Sequence, residues 1–146
     1  MIEDQIKQDL KQAMLERNEV AVNTLRMLIS EIRNAAIAKG GELSNPDVVS
    51  VVQKELKKRK EAAASFRQGS REELAAQEEA EAQVLEEYLP AQLSDEELGK
   101  IVDEAISQTS ASSMSDMGRV IGVVMSKVGQ SAEGSRVSAM VKQKLT

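Results

Sequence analysis

Apolar residues at the start of the chain recur every three or four positions: Ile2, Ile6, Leu10 and Met14, then Val22, Leu25, Leu28, Ile29, Ile32 and Ala36. That spacing lines one side of an α-helix, whereas a half-buried strand needs a period of two. The same period returns five more times, and no alternating stretch interrupts it. The chain is therefore expected to be all-α, with seven helices. Its aromatic content agrees, with one Tyr, one Phe and no Trp among 146 residues. A core must then be built from Leu, Ile, Val, Met and Ala, a mixture better suited to helix packing than to sheets.

Punctuation sets the expected boundaries. Helix one covers about 2–17 and helix two 19–39, ended by Gly40-Gly41, since glycine enters the left-handed cap without penalty. Ser44-Asn45-Pro46-Asp47 opens helix three with a capping side chain, a proline in the first turn and an acid at the positive end of the dipole. Helix three runs to about Gln68. Ser70-Arg71-Glu72-Glu73 reads as a capping box for helix four, which Pro90 stops near Leu89. Ser94-Asp95-Glu96-Glu97 is a second capping box, opening helix five with the stripe Leu98, Ile101, Val102, Ala105 and Ile106. After a Ser-rich loop at 109–113, helix six carries Met117, Val120, Ile121, Val124, Met125 and Val128. A link from Gly129 to Gly134 leads to helix seven, with Val137, Met140, Val141 and Leu145.

A change of composition near Pro90–Leu93 predicts two helical subdomains, 1–92 and 93–146. Residues 1–90 hold 13 basic and 17 acidic residues, net −4; residues 91–146 hold 6 and 7, net −1, completing the −5 of the whole chain. Neither half is a bulk electrostatic binder of nucleic acid, although a local basic patch is compatible with both.

The missing residue types exclude whole chemistries. Without Cys there is no disulfide, thiol nucleophile or thiolate metal site, and without His no Ser-His-Asp triad or imidazole ligand. No cofactor and no metal are expected. No apolar run reaches the ~20 residues of a membrane span. The first residues, Met1-Ile2-Glu3-Asp4-Gln5, are polar and acidic, unlike a signal peptide. The default expectation is a soluble cytoplasmic protein with no membrane partner.

Helical projection places Val48, Val52, Leu56, Ala63 and Phe66 on the apolar stripe of helix three, with Arg59 in its middle. Helix four presents Leu74, Leu85 and Tyr88, with Glu81 central and Glu78 close by. A tight turn at Gly69-Ser70 folds these helices antiparallel and brings Arg59 opposite Glu78 and Glu81. An arginine at such an interface needs a carboxylate partner. The pair reads as a structural ion pair fixing register; as an acid–base site it would lack a nucleophile, phosphate loop or metal cluster beside it. The run Lys54, Lys57, Lys58 and Lys60 reads as a solvated face balanced by Glu55 and Glu61, with phosphate contact as the alternative.

Helix six shows a second face with Ser115, Gly118, Gly122 and Ser126. Glycine inside a helix costs up to ~1 kcal/mol, so two of them point to a close approach. Either a neighbouring helix packs there, or an RNA sugar–phosphate strand does. Arg119, Lys127, Arg136, Lys142 and Lys144 supply charge nearby and, with Gly118 and Gly122, form the candidate RNA-binding set. No catalytic residue is assigned.

Three stretches carry a family resemblance: Thr24-Leu25-Arg26-Met27-Leu28; Lys57-Lys58-Arg59-Lys60-Glu61; and Glu78 and Glu81 leading to Leu85-Glu86-Glu87-Tyr88-Leu89-Pro90-Ala91-Gln92-Leu93-Ser94. Together with Met117-Gly118-Arg119-Val120-Ile121, Gly134 and Val141-Lys142, they make the chain resemble the YqeY-like family over almost its whole length. The resemblance implies an N-terminal helical domain and a small three-helix C-terminal domain of GatB/YqeY type. The latter is similar to the tail of the B subunit of the glutamine-dependent aminoacyl-tRNA amidotransferase, which helps to bind tRNA. The function expected is that of an accessory protein for tRNA or other structured RNA, without catalysis of its own. The alternative is a helical protein-interaction scaffold. The carbon–nitrogen ligase activity associated with the family is least favoured, because neither a glutaminase nucleophile nor a nucleotide site is visible.

Overall fold

The computed structural model describes residues 1–146 as seven α-helices and two short 3-10 turns, with no strand. The chain divides into two compact units, Met1–Leu89 and Pro90–Thr146.

The first unit holds α1 (Ile2–Glu16), α2 (Glu19–Lys39), α3 (Asn45–Gln68) and α4 (Glu72–Glu86). Ile6, Leu25, Leu28, Ile32, Val48, Val52, Leu56 and Leu85 form its core. Each large aliphatic side chain taken out of water stabilises the unit by about 1.5–3 kcal/mol. On α1 the projected stripe is shifted, with Ala13 buried and Met14 about half exposed. On α4, Leu74 is 37% exposed and the buried positions are Ala75, Ala82 and Leu85. The two alanines let α4 approach its neighbours closely, a role that hydrophobicity alone does not signal.

Helix ends follow the sequence chemistry except at the two ends of α4. Asn18 caps α2 by accepting from the Ala21 N–H, and Gly40 ends it at φ 82°. Ser44 and Asp47 form the expected capping box of α3. At the α3–α4 turn, however, Ser70 does not cap α4. It adopts φ 60° to reverse the chain, and the Arg71 N–H bonds the Phe66 carbonyl at 2.8 Å. A residue in the left-handed region cannot also supply the extended geometry of an N-cap. Arg71 occupies the cap position with no side-chain bond. Helix α4 ends at Glu86, and residues 87–89 turn before Pro90.

The second unit holds α5 (Asp95–Thr109), α6 (Met117–Val128) and α7 (Gly134–Leu145). Leu98, Val102, Ala105, Val120, Val124, Val128, Val137 and Val141 make its core. Ser94 and Glu97 form the expected box on α5. A 3-10 turn at Met114–Asp116 leads into α6, and another at Gly129–Ser131 follows it. The Leu93 N–H donates to the Ser131 carbonyl at 2.8 Å, and Gln92 Nε2 reaches the Gln130 carbonyl at 3.1 Å. These bonds attach residues 90–92 to the second unit, so the division falls three residues before the expected 92/93.

Candidate functional site

Helices α3 and α4 meet through a charged seam. As numbers rise on α3 they fall on α4: Arg59 meets Glu78 and Glu81, while Arg67 meets Glu79 and Glu72. Arg59 Nη1 lies 3.2 Å from Glu78 Oε2 and 3.4 Å from Glu81 Oε2. A third carboxylate, unassigned from sequence, completes the cluster: Glu55 Oε2 lies 3.7 Å from Arg59 Nη2, and Glu55 Oε1 accepts from Lys58 Nζ at 3.2 Å. The Glu55 side chain is only 3% exposed. It belongs to the interface and not to the solvated lysine face. The signal was its position three residues after Val52 and four before Arg59, on the buried stripe.

One guanidinium thus serves three carboxylates, and its Nε is buried without a partner. Burial pushes the Glu81 carboxyl above its ordinary value; the Glu78 charge adds to this, and Arg59 opposes it. The carboxylates do not form a group suited to holding a metal ion. The cluster ties α3 to α4, and removing one partner would leave charge stranded at the seam.

Just past α4, Tyr88 donates its hydroxyl to Asp9 Oδ2 of α1 at 2.5 Å, a contact absent from the sequence reading. It borders a hollow of about 200 Å³ lined by Ala13, Glu16, Ala21 and Glu87 among others. That volume is below the ~300–1,000 Å³ of small-molecule sites. Its rim carries carboxylates and no cation, so it offers nothing to a phosphate.

On α6, Val120, Val124 and Val128 point into the core while Gly118, Gly122 and Ser126 are exposed. A Cβ added at Gly118 or Gly122 would meet nothing within 4 Å. Of the two readings left open for these glycines, packing by a neighbouring helix of the unit is not seen: the face is open.

The cations around it are less available than their sequence positions suggest. Arg119 Nη2 donates to the Thr109 carbonyl at 3.0 Å and to Asp116 Oδ1 at 3.1 Å, closing the end of α5. Arg136 pairs with Asp95 at 2.8 Å and Lys144 with Asp103 at 2.9 Å. Lys127 Nζ bonds Gln108 at 3.3 Å and lies ~140° around α6 from Gly122. Lys142 is exposed and has no partner. Of the seven candidate residues, Gly118, Gly122 and Lys142 are fully free for a ligand. Lys127 lacks an acidic partner, and the other three hold acids of their own chain.

A family model described as "Yqey-like protein" matches residues 3–145. Among similar proteins, the "Altered inheritance of mitochondria protein 41, mitochondrial" of Pyrenophora tritici-repentis is 30% identical over 94% of this chain and 77% of its own length. The protein of the same name in Clavispora lusitaniae is 29% identical over 89% of this chain and 75% of its own. An uncharacterized protein of Schizosaccharomyces pombe is 35% identical over 61% of this chain and 72% of its own. The cytoplasmic location expected from the polar N-terminus is overturned here, since relatives along most of the chain are named as mitochondrial. No helix is long and apolar enough to cross a membrane.

Proposed function

The chain belongs to the YqeY-like family, and from that premise we propose that it is an accessory RNA-binding protein without catalysis of its own. The observation that carries this reading is the open glycine face of α6. Gly122, inside the helix, costs it up to about 1 kcal/mol relative to alanine, and Gly118, in the first turn, costs it less. Neither is required by packing within the unit, because a Cβ at either would meet nothing. What remains is an approach from outside, and a sugar–phosphate strand of tRNA or another structured RNA fits a face bordered by Ser115 and Ser126. The likeness of the second unit to the amidotransferase tail that the family resemblance implies favours the same reading. Electrostatic attraction falls to Lys127 and Lys142, while Arg119, Arg136 and Lys144 keep their structural partners.

A second reading, docking of a partner helix, is favoured by Met125 beside the glycines and by Met114, which is 40% exposed. Titration of tRNA into the wild type and Gly118→Leu, followed by anisotropy, separates the two. Loss of tRNA affinity in Gly118→Leu without loss of thermal stability is the expected result. Unchanged affinity in that variant would remove α6 as the RNA site, and no binding by the wild type at low salt would overturn the RNA reading and leave the scaffold.

A further inference from the structure

A group of uncommitted polar side chains lies on α2, in the first unit. Asn23, Arg26, Ser30, Arg33, Asn34 and Ile37 are all exposed. At ~100° per residue they fall within an arc of ~100°. None of the five polar side chains hydrogen-bonds or ion-pairs within the protein. The opposite face, with Leu25, Leu28 and Ile32, is locked into the core, so the exposed face is presented by a rigid element.

Several cations of this unit have no acidic partner, Lys54 and Lys57 of α3 among them, but on α2 two free arginines stand on one face with Asn and Ser beside them. Lys39 is taken by Asp47, Lys60 by Glu86, and Arg67 by Glu72 and Glu79. The α2 acids stand apart from the pair: Glu31 lies ~140° around the helix from Arg26, and Glu19 lies ~10 Å before it along the axis.

We propose that this face of α2 is a docking surface for the phosphate–ribose backbone of RNA, separate from α6; it rests on the RNA reading above. Arginine forks match phosphate oxygens two at a time, and Asn and Ser side chains bond phosphates and sugars. Arg26 and Arg33 are two turns apart, ~10.5 Å along the axis, and reach separate phosphates of one strand. With no aromatic side chain on the face, bases are not stacked, and recognition is by backbone and shape. A protein partner would be anchored by a central apolar or aromatic cluster, whereas here a single isoleucine stands at one end.

The test uses the full chain and unfractionated tRNA, with affinity measured across a salt series for the wild type, Arg26→Gln, Arg33→Gln, the double variant and Arg26→Lys. Glutamine is as good a helix former as arginine, and neither residue has a partner to lose, so melting should not change. Each Gln change should lower the slope of log K against log salt by about 0.7–0.9, and the double by about 1.4–1.8, with Arg26→Lys near wild type. A double variant with the wild-type slope overturns this surface. If Gly118→Leu abolishes binding in that case, the α6 reading survives alone. If the double variant loses affinity and Gly118→Leu does not, α2 is the site and the α6 reading falls. Competition by poly-glutamate as strong as by tRNA also overturns the proposal and gives the face to an acidic protein.

Discussion

Removing Arg59 should destabilise the first unit, and the loss should depend on pH. In Arg59→Ala three carboxylates lose their shared cation, and their side chains are only 3%, 17% and 15% exposed for Glu55, Glu78 and Glu81. Breaking a buried pair costs about 3–5 kcal/mol. Arg59 itself is 24% exposed and Lys58 still holds Glu55, so the lower end, about 3 kcal/mol at pH 7, is expected. Glu81 sets the pH course. Its folded-state pKa is raised, so its favourable contribution is complete below the ordinary 4.5 and is lost as pH rises through the folded value. Without Arg59, which pulls in the opposite direction, that pKa rises further. The Glu81 part of the deficit is therefore small near pH 4.5 and full at neutral pH, so the total is smaller at the lower pH. The sole tyrosine, Tyr88, lies in the first unit and there is no Trp, so tyrosine fluorescence follows this unit in a urea titration. At about 1–3 kcal/mol per molar urea, the midpoint should fall by about 1–3 M. An unchanged midpoint at pH 7, or an equal shift at both pH values, would refute the reasoning. Arg59→Met with Glu81→Leu should recover part of the loss, since Glu55 and Glu78 remain.

The open face of α6 predicts that Gly122→Ala stabilises the second unit by about 0.5–1 kcal/mol and Gly118→Ala, in the first turn, by less; a lower melting temperature in either would mean that the face is packed. Burial, and then the bond to Asp9, raises the Tyr88 phenol well above its ordinary 10.0. Stability from this group is thus complete below pH 10 and is lost as pH rises, so tyrosinate absorbance should appear together with unfolding; a folded protein titrating at 10 would contradict the contact. Tyr88→Phe should cost about 1 kcal/mol in a denaturant melt, from loss of one hydrogen bond to a carboxylate that water can reach.

The helices, their order and most of their ends were legible in the sequence because they depend on local chemistry. Apolar period, the Ser44 and Ser94 caps and Gly40 all act within a few residues. The Arg59 pairing was legible for the same reason, since a three-residue turn converts two helical projections into one interface. Ser70 was misread because its hydroxyl suited a cap while the turn needed its backbone in the left-handed region. The third carboxylate, Glu55, was obscured by its lysine neighbours, although its phase on the helix placed it inside. Tertiary structure decided whatever depends on residues far apart in the chain. Arg136 and Asp95 stand 41 residues apart, and the Tyr88 hydroxyl reaches Asp9 across 79. Glycine spacing on α6 announces a close approach but not its source, because a pattern along one helix says nothing about what lies across from it. Only the two assembled units, one with empty space over Gly118 and Gly122 and the other with Arg26 and Arg33 left unpaired on α2, separate faces used in folding from faces left for a partner.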